Sequence, residues 1–94
     1  MSIKTITKGP LDRLPVFFDW TAWLAGETAQ LRAPVSIVSV EWSTKGVTLV
    51  RDRQPTYANK VASAWIEGGP GSIACTVTTS HGHVATRAMN VGID

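Results

Sequence analysis

The sequence predicts an all-β protein, an antiparallel β-sandwich of about seven short strands with one short helical turn. Three observations lead there. Apolar and β-branched residues alternate over strand-length windows, as in Ile73-Ala74-Cys75-Thr76-Val77-Thr78. Turn residues recur between these windows, as in Lys45-Gly46, Gly68-Gly69-Pro70-Gly71 and Ser80-His81-Gly82. No segment carries a long apolar stripe at helical spacing.

Taken in order, residues 1–12 are polar, contain Lys8-Gly9-Pro10 and show little periodicity, so they are expected to form an extended N-terminal arm that orders against a neighbour. Residues 13–94 then make one domain. Leu14, Val16, Phe18 and Trp20 fall on one face of the first strand, and Pro15 restricts that strand to an edge or a start. Asp19 is placed to cap a short helical turn, Thr21–Ala25, which Gly26 is expected to end. Trp20, Trp23 and Leu24 share a side of that turn, which must plug an end of the sandwich or meet another protein, because so short a helix does not stand alone.

After a break at Pro34, Val35–Trp42 reads as a strand with Val38, Val40 and Trp42 inward. That phase leaves Ser39 and Glu41 in water, which avoids burying an unpaired carboxylate. Ser43–Gly46 is expected to be a turn and Val47–Val50 a strand. Thr56–Trp65 continues the pattern, with Ala62, Ala64 and Ile66 on one face and Val61, Ser63 and Trp65 on the other. A Gly turn, the strand through Cys75, a hairpin at Ser80-His81-Gly82 and a closing strand Val84–Ile93 complete it, with Met89, Val91 and Ile93 inward.

Composition narrows the class of function. The 94 residues carry 44% hydrophobic and 17% charged side chains, which fits one folded domain and leaves few charges to solubilise a free monomer. Four Trp, two Phe and one Tyr in so small a chain hint at contacts with other chains, since large amphipathic rings are favoured at interfaces. The net charge of +2 is scattered and forms no phosphate-tracking stripe, so no nucleic acid is expected as a partner. A single cysteine forms no intrachain disulfide, and no apolar run reaches the ~20 residues a membrane span needs. Lys4 and Lys8 are followed by no apolar signal-peptide core, so synthesis in a reducing cytoplasm is expected, without a membrane anchor.

Nothing in the chain reads as a catalytic site. His81 and His83 straddle a hairpin turn, Cys75 lies mid-strand as a core thiol, and no base is set beside a nucleophile. Gly68-Gly69-Pro70-Gly71 lacks the Gly-Lys-Ser/Thr that completes a phosphate cradle. His81-Gly82-His83 supplies two imidazoles per chain, too few to hold a metal without symmetry copies, and Asp19, Glu27, Glu41, Asp52 and Glu67 show no calcium spacing. No enzyme activity, cofactor or metal is expected.

Phe18-Asp19-Trp20-Thr21-Ala22-Trp23-Leu24-Ala25-Gly26-Glu27-Thr28, then Trp65-Ile66-Glu67-Gly68-Gly69 and Thr79-Ser80-His81-Gly82-His83, stand in an order that resembles small Ig-like bacteriophage virion proteins of the fiber-tail adaptor family. The likeness spans residues 14–93. It departs at Cys75, where an aromatic is expected, and at His83, where Arg usually follows the Gly. It implies an Ig-like sandwich and a structural role in the virion, joining tail, neck or fiber components as a homo-oligomeric ring. Its partners would be other phage structural proteins. Two alternatives stay open: capsid decoration, and a carbohydrate or host-surface binder using Trp23, Trp42 or Trp65. Candidate contact residues are Ile3, Lys4, Ile6 and Lys8 of the arm and Trp20, Trp23 and Leu24 of the helical turn.

Overall fold

The computed structural model describes residues 4–94. It contains six strands and one helix: β1 Lys4–Lys8, β2 Leu14–Asp19, α1 Thr21–Leu31, β3 Ile37–Leu49, β4 Thr56–Ala58, β5 Val61–Thr79 and β6 Val84–Ile93. All six strands belong to one mixed sheet organised around β5, which pairs antiparallel with β2, β3, β4 and β6.

Register and contact together show how this sheet is folded. Phe18 lies opposite Ala62, and Trp42 lies opposite Cys75. A straight strand would hold residues 62 and 75 about 40 Å apart. Yet the rings of Phe18 and Trp42 are 5.9 Å apart, so β5 doubles back and its two limbs face each other. The fold point is Gly68–Gly71: Gly46 faces Ser72 and the next residue, Val47, faces Gly68, so Gly69, Pro70 and Gly71 leave the ladder. The smallest dimension of the molecule, 18 Å, fits two layers at the ~10 Å spacing of packed sheets.

Between the limbs lies the core. Val16 and Phe18 of β2, Ala62, Ala64 and Ile66 of the first limb, Ile73, Cys75 and Val77 of the second, and Met89 and Val91 of β6 are all buried. Ala62, Ala64 and Ile66 take the face expected from alternation, and the inward phase of β6 is also as expected. Gly69–Gly71 have no partner in β3, although Gly71 already pairs with Val91 of β6, and skipping these three residues lets the same inward face resume at Ile73.

Several expectations change. The architecture is all-β with one helix, but its layers are limbs of a single sheet, with six strands where about seven were expected and one parallel pair. Residues 43–46 are not a free turn. β3 runs through them with a bulge at which Lys45 and Gly46 both face Ser72, because the long β5 offers a partner on either side of its own fold. Val38 is 63% exposed, since a second irregularity between Ile37 and Ser39 turns it out of the inward phase. Residues 4–8 of the expected arm do not wait for a neighbour. They pair in parallel with β6, Lys4 opposite Met89 and Lys8 opposite Ile93, and the Asp94 N–H donates to the Lys8 carbonyl at 3.0 Å.

The helix is also longer than expected. It continues through Gly26 to Leu31 because Glu27, Ala29, Gln30 and Leu31 are good helix formers, and it ends at Arg32 with φ 53°. Trp20 is the boundary residue, and the Asp19 carboxylate accepts the Thr21 N–H at 2.9 Å. Hydrogen bonding from the Thr21 side chain, then this backbone bond, with the Arg87 charge nearby, lowers the Asp19 pKa. The carboxylate therefore supports the helix start above the ordinary carboxylate range, and that support is lost as pH falls through its lowered pKa. Gly26 has open space where a Cβ would stand. Gly26→Ala is expected to stabilise the protein by about 0.5–1 kcal/mol, read from thermal unfolding, through the helix-interior cost of glycine. A lowered melting temperature would contradict this account of α1.

Candidate interaction site

Among the described residues, unpaired sheet edges and side chains gathered around the end of α1 stand out on the surface. Among the described residues β2 pairs only with β5, and β1 only with β6, so each leaves one edge unpaired there. Trp20 N–H donates to the Lys60 carbonyl at 2.8 Å, which extends the β2–β5 ladder and sets its phase. Leu14, Val16 and Phe18 thus direct their backbone groups to β5, while Pro15, Phe17 and Asp19 direct theirs outward. Pro15 has no N–H to offer there, which blunts the edge as expected of this residue. The Asp19 carbonyl is taken by the Arg87 guanidinium at 3.0 Å, leaving the Phe17 N–H and C=O as the open backbone groups of the strand's centre.

A cleft of about 270 Å³ lies between β1 and β2, lined by Ile6, Thr7, Leu14, Pro15, Val16, Phe17 and Met89. It is mostly apolar. Phe17, at its rim, is 57% exposed, and Leu11 in the preceding loop is 94% exposed. Arg13 pairs with Glu67 at 2.7 Å, tying that loop to β5 near its fold point.

Of the residues expected to make contacts, few are available. Trp20 is fully buried and Leu24 nearly so; both are committed to the chain's own core, which answers the helical turn's need for a partner. Trp23 remains half-buried, set edge-on to Trp20 with centroids 5.2 Å apart and close to the His83 ring at 5.4 Å. Ile6 is half-buried against the core. Lys8 is buried, its ammonium donating to the Gly9 carbonyl at 2.7 Å. Lys4 opens β1, and Ile3 lies outside the described residues. Phe17 is legible from alternation alone: once Val16 and Phe18 point inward, it falls outside.

The two histidines do not converge. His83 Nδ1 meets Glu27 Oε1, fastening the β5–β6 hairpin to α1, and His81 Nε2 lies 3.3 Å from the Pro34 carbonyl. No group of three or more metal-ligating side chains occurs among the described residues. Burial pushes the Cys75 thiol up to about 11, so it is not a thiolate nucleophile at neutral pH. No helix among the described residues is long and apolar enough to cross a membrane.

Fold and surface together describe a small all-β domain with open strand edges and an apolar side cleft among the described residues. A family model described as podophage GP4 fiber-tail adaptor protein gp77 matches residues 8–92, and the chain belongs to that family. It is thus a structural protein of the phage tail and fiber apparatus, as the order of its sequence motifs implied. Comparison with curated proteins and with solved structures gave no match.

Proposed function

We propose that this protein is an adaptor of the podophage virion that joins tail, neck or fiber components by protein–protein contacts, as a homo-oligomeric ring and without catalysis. The family match over residues 8–92 carries the reading. The unpaired β2 edge and the exposed Phe17 support it, because an edge strand is completed by adding a strand from a partner. In a ring, a modest edge contact repeated between neighbours becomes collectively strong. Residues 1–12 act as an arm in this reading: β1 is held on one side only and can exchange its partner β6 for that of an adjacent copy.

The half-burial of Trp23, Trp42 and Trp65 favours this over stacking on sugars. Each ring already has a neighbour, His83, Phe18 and the Arg53 guanidinium respectively, the last at 4.6 Å. Light scattering of the purified chain, beside immunogold microscopy of virions, tests the reading. An oligomer located at the tail or neck supports it, and a monomer absent from virions overturns it. Phe17→Asp is expected to weaken assembly at least tenfold while changing stability by no more than about 0.5 kcal/mol, as for exposed positions generally. Unchanged assembly would remove the β2 edge from the interface.

A further inference from the structure

A second surface lies away from the β2 edge, where α1 ends beside the β4–β5 turn. Ala58 pairs with Val61, so Asn59 and Lys60 form a two-residue hairpin turn, with φ 52° and 67°. Such a turn requires positive φ at both places and strongly favours Asn followed by Gly. Asn59 fits this preference, whereas Lys60 holds the glycine position. Arg32 repeats the pattern, ending α1 in the left-handed conformation, φ 53°, that glycine usually supplies.

These two cations, each on backbone that disfavours a side chain, line the same shallow cleft of about 450 Å³ with Thr28, Ala33, Pro34 and Val35. Both are exposed. Neither has a carboxylate partner: the ion pairs among the described residues are Arg13–Glu67 and His83–Glu27. The turn is fixed to the start of α1 by the Trp20 N–H to Lys60 carbonyl bond, so the two charges are carried on joined elements. Arg32 presents a planar fork suited to a carboxylate, Lys60 a compact charge, and Thr28 a hydroxyl.

We propose that this cleft docks a carboxylate-bearing segment of a partner protein, gripped by Arg32 and Lys60. That the partner is a protein rests on the adaptor reading; the charge complementarity of the cleft identifies the segment as acidic. Arg32 and Lys60 both sit where glycine would suit the backbone better, so their charged side chains, and not backbone preference, are what these positions add to the cleft.

Amide-resolved NMR titration of the full chain with hexaglutamate tests this, with hexaglutamine and inorganic phosphate as the comparison probes. Saturable shifts at Thr28, Arg32, Ala33 and Lys60 are expected with hexaglutamate alone, weakening at high salt. Arg32→Gly and Lys60→Gly are each expected to reduce that affinity at least tenfold while holding or raising the melting temperature, since glycine suits both backbones. A lowered melting temperature in these variants would show that the cations serve the helix terminus and the turn, and overturns the proposal. So do absent shifts, or phosphate binding as well as the peptide, which would make the cleft a general anion site. The peptide result is independent of virion localisation, so each reading fails by its own measurement.

Discussion

Gly71→Ala is expected to destabilise the protein by about 3 kcal/mol, the upper range for overpacking, which is a large share of the total stability of so small a domain. Gly71 sits where β5 leaves its ladder with β3, directly on the bulge of the partner strand. A Cβ there would overlap the Lys45 carbonyl oxygen and stand 2.8 Å from the Gly46 Cα. Both neighbours are backbone, so no side-chain rotation relieves the overlap; β3 and β5 must separate at the point where the sheet folds over. Gly46 faces the same crossing from the other side, where a Cβ would run into the Pro70 carbonyl, and its φ of +78° adds a backbone penalty. Gly82→Ala provides the comparison. Its φ of +84° makes the substitution unfavourable, but nothing lies within 4 Å of the added carbon, so only the backbone cost of about 1–2 kcal/mol remains. Urea unfolding of Gly71→Ala, Gly46→Ala and Gly82→Ala separates close approach from dihedral preference. Gly71→Ala within 1 kcal/mol of the parent, on the scale just argued, would mean that the crossing is looser than the structure shows.

The same region shows what a sequence discloses and what it does not. Gly68-Gly69-Pro70-Gly71 announces a change of direction, and the alternation on either side announces two inward faces. That the two stretches are one strand folded over, with β3 following it across, depends on pairing between residues distant in sequence, and no local propensity encodes it. The helix beyond Gly26 was concealed by a residue whose usual role is to stop helices, here tolerated because its surroundings are open. The parallel pairing of β1 with β6 joins the two ends of the described chain and leaves no local trace, whereas the Ser80–Gly82 hairpin is wholly local and was legible in full. The candidate sites divide likewise. Phe17 follows from alternation and Pro15 from its missing N–H, but Arg32 and Lys60 draw together only once the helix end and the turn are both in place.

Trp20→Ala is expected to cost about 3–5 kcal/mol, as for other large aromatic truncations in a core, and to expose chemistry now hidden. The ring is fully buried at the junction of β2 and α1, edge-on to Trp23 and under the Arg87 guanidinium, 4.5 Å from its centroid. It therefore joins the start of the helix to the facing limbs. Its indole N–H has no hydrogen-bond partner among the described residues and is left beside the Cys75 sulfur, at best a weak acceptor. Because little hydrogen-bond energy is at stake, Trp20→Phe is expected to cost well under half as much as the alanine variant, the loss being the smaller ring's unfilled volume. The alanine variant opens a cavity next to Cys75, whose thiol is held up at about 11 by burial. Water entering there stabilises the thiolate, so labelling of Cys75 by a disulfide reagent at pH 8 is expected to accelerate in Trp20→Ala and to stay close to the parent rate in Trp20→Phe. Equal stability losses in the two variants would assign the indole N–H a role in holding the limbs together, and would place the energy in a polar contact instead of in packing.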